Sequence, residues 1–116
     1  MLLNGGELDG ARILRPTTVK LMTSNHLTEI QRAAMVKQIG KSLEGYGFGY
    51  GVAVGLNPSE EYGGNRNEFF WGGGAGTKNW IDPVNNVVGI VMNHVRFSQN
   101  LTIDADVKKL VRQGFL

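Results

Sequence analysis

The chain has 116 residues, 41% of them apolar, and 12 basic against 10 acidic side chains leave a net charge of +2. That is a single-domain length, able to bury roughly two thirds of its unfolded surface, and the composition argues against global disorder. The charges are scattered without blocks, so a pI near 9.1 gives no footprint for nucleic acid, and no apolar run approaches the ~20 residues that span a bilayer.

Met1-Leu2-Leu3 is too short for a signal peptide. It runs straight into Asn4-Gly5-Gly6, a common way to end a helix. Three residues cannot sustain a helix against its costly nucleus, so the segment reads as the last turn of a helix whose body is missing; a frayed terminus before a loop is the plain alternative. Arg15-Pro16-Thr17-Thr18 looks like a helix start, with Pro16 near the first helical position, Val19, Met22 and Leu21 toward the core, and an end by about Asn25. Thr28–Leu43 places apolar residues at Ile30, Ala33, Ala34, Val36 and Ile39, compatible with an amphipathic helix that Gly40 and three basic residues leave weakly specified.

From Gly45 the period changes to two. Tyr46, Phe48, Tyr50, Val52 and Val54 alternate with Gly47, Gly49, Gly51 and Ala53, which predicts one strand with a nearly bare face on which something packs closely. Asn57-Pro58 to Asn67 is a polar loop of mobile composition. Glu68–Trp71 and Thr77–Ile81 read as two strands around a glycine bend, and Asp82-Pro83-Val84-Asn85-Asn86 as a turn. The run from Val87 to Val95 has no alternation and suggests a strand buried on both faces. Short turns between these strands favour antiparallel pairing. Asn100-Leu101-Thr102 starts a final helix with Asp104 and Asp106 first, Lys108, Lys109 and Arg112 last, and a stripe of Ile103, Val107, Leu110 and Val111 that needs a sheet beneath it.

The 17 glycines are the compositional outlier, and Phe69-Phe70-Trp71-Gly72-Gly73-Gly74-Ala75-Gly76-Thr77 concentrates them. Consecutive glycines strip side chains from the backbone, so another molecule can approach bare N–H groups. Such donors at a sheet edge can hold a developing oxyanion in acyl transfer; a bulge or tight bend between strands would use the same residues. The run is no phosphate loop, because no Gly-Lys-Ser/Thr follows it. Lys78 is the only cation close by, beyond Thr77. Trp71 and Trp80 suit either an acyl pocket or the core. His26 flanks a helix end and His94 follows the last strand; with no cysteine and no His-x-x-x-His spacing, no metal site and no cofactor is expected. Glu60-Glu61 and the Asp104/Asp106 pair read as solvent-exposed acids.

Leu3 to Leu14 (LNGGELDGARIL), Tyr46-Gly47-Phe48-Gly49-Tyr50-Gly51-Val52, Trp71-Gly72-Gly73 and Ile81-Asp82-Pro83 occur in that order. Together they resemble the C-terminal part of the serine beta-lactamase-like hydrolases, which include class C beta-lactamases, penicillin-binding-protein-like enzymes, related esterases and D-amino-acid peptidases. The resemblance implies an α+β fold, an antiparallel β-sheet with packed helices, over a single partial domain, residues 1–116. It also implies that Trp71-Gly72-Gly73 stands where lactamases carry Lys-Thr-Gly, with Gly74 offering its backbone N–H to the oxyanion. The family's Ser-x-x-Lys is missing: three residues after the four serines stand Leu27, Gly45, Tyr62 and Leu101. Tyr-x-Asn is missing too, as is a Gly-x-Ser-x-Gly elbow. The expected chain therefore supplies the substrate-binding and oxyanion residues Trp71, Gly72, Gly73 and Gly74, no catalytic residue and no metal ligand. It would meet a small acyl substrate only within a complete enzyme. The rival expectation is a non-catalytic, self-associating module, a homo-oligomer joined through an open sheet edge.

Overall fold

The computed structural model describes residues 1–95 and 103–115. A five-stranded antiparallel sheet in simple meander order organises it: β3 (Tyr46–Phe48), β4 (Ala53–Gly55), β5 (Phe69–Gly72), β6 (Lys78–Asp82) and β7 (Val87–Val91). Before it come a small hairpin, β1 (Glu7–Leu8) with β2 (Ala11–Arg12), and two helices, α1 (Pro16–Met22) and α2 (Glu29–Ile39). Helix α3 (Ile103–Gln113) follows the sheet. Among the described residues no helix is long and apolar enough to cross a membrane.

The register aligns Phe48, Ala53, Phe70, Trp80 and Gly89 across one face. Tyr46, Ala53, Phe70 and Trp80 are buried there with Met35 of α2 and Leu43 of the 3₁₀ turn Lys41–Leu43, and the half-buried Val107 and Val111 of α3 pack against them. Burying each large side chain contributes about 1.5–3 kcal/mol. Trp80 lies flat across its cross-strand partner: a Cβ at Gly89 would sit 2.1 Å from the indole. On the opposite face Val54, Phe69 and Ile81 form a smaller cluster beneath Leu2, Leu3 and Val52.

Several local features follow the sequence directly. Arg15 precedes Pro16 in extended conformation, α1 ends at Met22, and Val19 is its buried residue. Thr28 and Gln31 form a reciprocal capping box that fixes the start of α2. Gly6 N–H donates to Met1 O and Gly5 N–H to Leu2 O, with Gly5 at φ +62°, the paired pattern of a Schellman turn. Asp82 Oδ1 accepts from the N–H groups of Val84 and Asn85, closing the turn into β7.

Four expectations are corrected. The long alternating strand is a hairpin: Gly49 N–H donates to Val52 O, Gly51 takes φ +81°, and Tyr46, Gly47 and Phe48 pair back onto Gly55, Val54 and Ala53. The helix expected to Leu43 stops at Ile39, and its buried residue is Met35, with Ile30, Ala33, Ala34 and Ile39 exposed. Among the described residues strand β7 is not buried on both faces; it is an edge, and Val88, Ile90 and Met92 are 53%, 65% and 80% exposed. In α3, Ala105 and Lys108 are the buried residues, while Ile103 and Leu110 are exposed. The helix start expected at Asn100-Leu101-Thr102 lies outside the described residues. The polar loop carries a 3₁₀ turn, Glu60–Tyr62, and Gly63 packs under α3, where a Cβ would meet the Ala105 carbonyl oxygen and Lys108 Cβ at 3.0 Å.

Candidate functional site

Trp71, Gly72, Gly73 and Gly74 run along the end of β5 and into the turn before β6. Gly73 N–H donates to Thr77 O at 2.9 Å, and Gly76 N–H returns to Gly73 O at 2.9 Å. Alternation along an antiparallel ladder then turns the N–H and C=O of Gly72 away from β6, toward the side occupied by β4. Pairing with β4, however, ends at Ala53 with Phe70. Beyond that point the chain is in the Gly49–Val52 turn, so among the described residues no strand pairs with the outward-turned backbone of Gly72.

Gly73 and Gly74 are exposed, and among the described residues Gly74 N–H has no protein acceptor. Sorting all 17 glycines separates Gly74 from the rest. Each of the others either has φ between +62° and +139° or would drive a Cβ to within 3.3 Å of a neighbour. Gly74 has an ordinary φ and, among the described residues, open space around its missing Cβ. Neither its backbone conformation nor its packing against those residues requires glycine there.

Trp71 is half-buried and meets Phe48 edge-to-face, ring centroids 4.9 Å apart. Trp80, for which the sequence allowed either a pocket or the core, is a core anchor. At the hairpin tip Tyr50 stacks on His26 at 4.6 Å, and His26 Nε2 lies 2.8 Å from Leu21 O at the end of α1. The bare strand face is filled as the alternation requires: Asn25 lies over Gly47, and its Oδ1 accepts from Phe48 N–H, while the Met22 carbonyl lies over Gly49.

Lys78 pairs across the ladder with Gly72, yet its ammonium is held by Asp104 Oδ2 at 2.8 Å and sits 5.5 Å from the Phe70 ring centre. Asp104 is thus half-buried in an ion pair, not the exposed acid the sequence suggested. Glu60 and Glu61 are exposed.

Sequence reasoning missed the strongest electrostatic feature. Glu68 is 1% exposed and accepts from Lys108 Nζ at 2.6 Å and from the Tyr46 hydroxyl. Lys108 Nζ lies 5.3 Å and 6.0 Å from the Phe70 and Trp80 ring centres. Burial, then the Glu68 charge and its hydrogen bond, push the Tyr46 hydroxyl far above its ordinary pKa. Nearby, burial alone would raise Asp82, but hydrogen bonds from Asn85, Asn65 and the Val84 and Asn85 amides hold it below the usual carboxylate range. Only the acid's place just before Phe69-Phe70-Trp71 hinted at this, since its partner stands 40 residues away.

No family model matches the chain. Over an aligned stretch of 110 residues, 90% of this chain, it is 31% identical to the uncharacterized protein MT1414 of Mycobacterium tuberculosis strain CDC 1551 / Oshkosh, and equally to protein Rv1367c of strain ATCC 25618 / H37Rv. The chain spans 26% of the length of these relatives. It is also similar to the solved simvastatin synthase (LovD) of Aspergillus terreus, in the LovD9 mutant, with a TM-score of 0.71 and 22% identity over 98% of this chain and 32% of that one. That likeness is one of fold. The chain is α+β, with antiparallel sheets of two and five strands, and forms part of a beta-lactamase-like fold.

Proposed function

We propose that residues 1–116 are the C-terminal, sheet-edge portion of a beta-lactamase-related serine enzyme that attacks an ester or amide carbonyl. In this reading the chain contributes Trp71, Gly72, Gly73 and the Gly74 N–H as the oxyanion and acyl wall, and the nucleophile and base belong to another portion. Gly74 carries the proposal: among the described residues its amide has no acceptor and nothing packs where a Cβ would stand. A backbone donor fixed at a strand end stabilises charge as it develops, with no reorganisation at the moment of reaction. The fold shared with the synthase and the 26% coverage of the mycobacterial relatives support a piece of a larger enzyme. Trp71 stands where a lactamase carries lysine, so that position presents no cation for a beta-lactam carboxylate. An ester or peptide substrate fits better.

The test joins this chain, in frame, to a preceding segment carrying Ser-x-x-Lys and Tyr-x-Asn, and assays a chromogenic short-chain ester beside a chromogenic cephalosporin. The joined protein hydrolyses the ester and the 116-residue chain alone does neither. Gly74→Pro, which deletes the N–H, lowers kcat by about 10²–10³, whereas Gly74→Ala leaves folding stability unchanged or raised by up to about 1 kcal/mol. Turnover by the chain alone, or full activity in Gly74→Pro, refutes the assignment.

Strand β7 favours a second reading, a self-associating module. Its sequence Val87-Val88-Gly89-Ile90-Val91 contains no lysine, proline or charge to blunt an open edge. A two-fold antiparallel pairing about Gly89 would continue the exposed Val88 and Ile90 stripe from one copy to the next. Light scattering after size-exclusion chromatography reads this directly: a dimer that Ile90→Lys converts to monomer supports it, and a wild-type monomer at high concentration excludes it.

A further inference from the structure

On the helix-covered face of the sheet, a cleft of about 470 Å³ opens between the 3₁₀ turn Lys41–Leu43, the strands β5 and β6, and the start of α3. Its floor is aromatic, made by Phe70 and Trp80, with Tyr62 at one side. Among the described residues three ammonium groups line it, Lys41, Lys78 and Lys108, against one lining carboxylate, Asp104. Lys78 and Lys108 approach the same Phe70 ring, at 5.5 Å and 5.3 Å. Glu68, the partner of Lys108, is buried behind the wall and fully engaged by Lys108 and Tyr46. Among the described residues Lys41 forms no ion pair.

We infer that this cleft binds a small organic carboxylate with a flat apolar body, independently of the glycine edge. The volume falls in the range of pockets that hold small molecules. The excess of positive charge on a partly desolvated wall selects an anion, since the low local dielectric strengthens each contact. The Phe70–Trp80 floor takes the apolar body, and the anion is shared between Lys41 and Lys78, at the expense of the Lys78–Asp104 pair. Asp104 is therefore the competitor for the ligand. Its removal tightens binding, which no purely structural role for the pair would produce.

The probe is 3-phenylpropanoate, titrated into the Trp71→Phe chain so that Trp80 alone reports, with calorimetry on the unaltered chain as the second measurement. Saturable binding is expected, weakened about tenfold by Lys78→Met, the effect of losing one charged contact. Asp104→Asn tightens it about threefold, and 0.5 M salt loosens it, as expected for a partly exposed ion contact. The neutral 3-phenylpropan-1-ol binds at least about tenfold more weakly on the same charged-contact scale. The inference is overturned by absence of saturation in both measurements, by equal affinity for the alcohol, or by an affinity that neither Lys78→Met nor Asp104→Asn changes. Saturation by inorganic phosphate with no response to 3-phenylpropanoate also overturns it, because the aromatic floor would then have no part.

Discussion

Lys108→Met isolates the buried ion pair. Methionine keeps most of the aliphatic stem against Phe70 and Trp80, so packing changes little, and what is lost is the charge that neutralises Glu68. Glu68 is 1% exposed and retains only the Tyr46 hydroxyl as a donor from this cluster. Removing one partner of a pair buried to this degree costs about 3–5 kcal/mol, to which the lost contacts over two aromatic rings add about 0.5–1 kcal/mol. A domain of this length is stable by about 5–15 kcal/mol, so the variant loses a large part of its margin. The combined loss of about 3.5–6 kcal/mol lowers Tm by roughly 14–24 °C at about 4 °C per kcal/mol. Urea unfolding followed by tryptophan fluorescence measures it directly. Glu68→Gln combined with Lys108→Met recovers at least about half of the loss, because no charge is left without a partner. A single-variant loss below about 1 kcal/mol, the scale of an exposed pair, or a double variant no more stable than the single one, would refute the reasoning.

Gly89→Ala forces a Cβ to within 2.1 Å of the Trp80 indole, and the overpacking costs about 1–3 kcal/mol; a red shift of tryptophan emission and a lower urea midpoint report it. Asp82 is held ionised in the fold below the usual carboxylate range. Its stabilisation is therefore complete above the unfolded carboxyl pKa of about 3.9 and is lost as pH falls through the depressed folded value. Asp82→Asn flattens that acid limb in a pH series of urea midpoints. Tyr46 has the opposite sign: its raised folded pKa gives stability that is complete below about pH 10 and lost as pH rises beyond it. Tyr46→Phe removes this alkaline limb at a neutral-pH cost of about 1.5–3 kcal/mol for the hydrogen bond to the charged Glu68.

Local chemistry was legible where one or two neighbours decide the conformation. Pro16 placed the start of α1 and the polar run after Asp82 gave its turn, while the Thr28–Gln31 capping box at the start of α2 was a readable signal left unread. The strand beyond Gly45 misled because a two-residue period is the same for one long strand and for a tight hairpin. The discriminating residue was Gly51, whose left-handed conformation reverses the chain. Val87–Val91 misled for another reason. An uninterrupted apolar run signals two buried faces only when another layer covers the second one, and in the described residues β7 is an edge. The Asp9-Gly10 pair, both at positive φ, carried a readable hairpin signal between β1 and β2 that went unused. The ion pair Glu68–Lys108 could not be read at all, since it depends on how α3 returns across the sheet. At the glycine edge, residue types suggested an exposed donor, but a bend and a binding wall share those types. The register, and the sorting of Gly74 from the other glycines, are what motivate the proposed wall.

The opening beside Gly72 is a consequence of unequal strand lengths. Strand β4 has three residues, against four in β5 and five in β6, so its ladder runs out at Phe70 while β5 continues to Gly72. The Gly49–Val52 turn sets that limit, and the turn is pinned from behind: Tyr50 N–H donates to Met22 O at 3.0 Å, and His26 N–H to Phe48 O at 2.9 Å. The segment between α1 and α2 therefore holds the hairpin short and keeps the edge of β5 uncovered. Lengthening the hairpin by two residues on each side of its turn, with the Gly51 type of reversal kept, would let the added strand reach Gly72. Its backbone groups would then satisfy the edge that the proposed substrate needs. Such a chain gains slow amide exchange at Gly72, and its joined enzyme loses ester hydrolysis without loss of thermal stability. Retained hydrolysis with a protected Gly72 amide would mean that the reaction does not use this edge, and that the bare glycines serve only the bend.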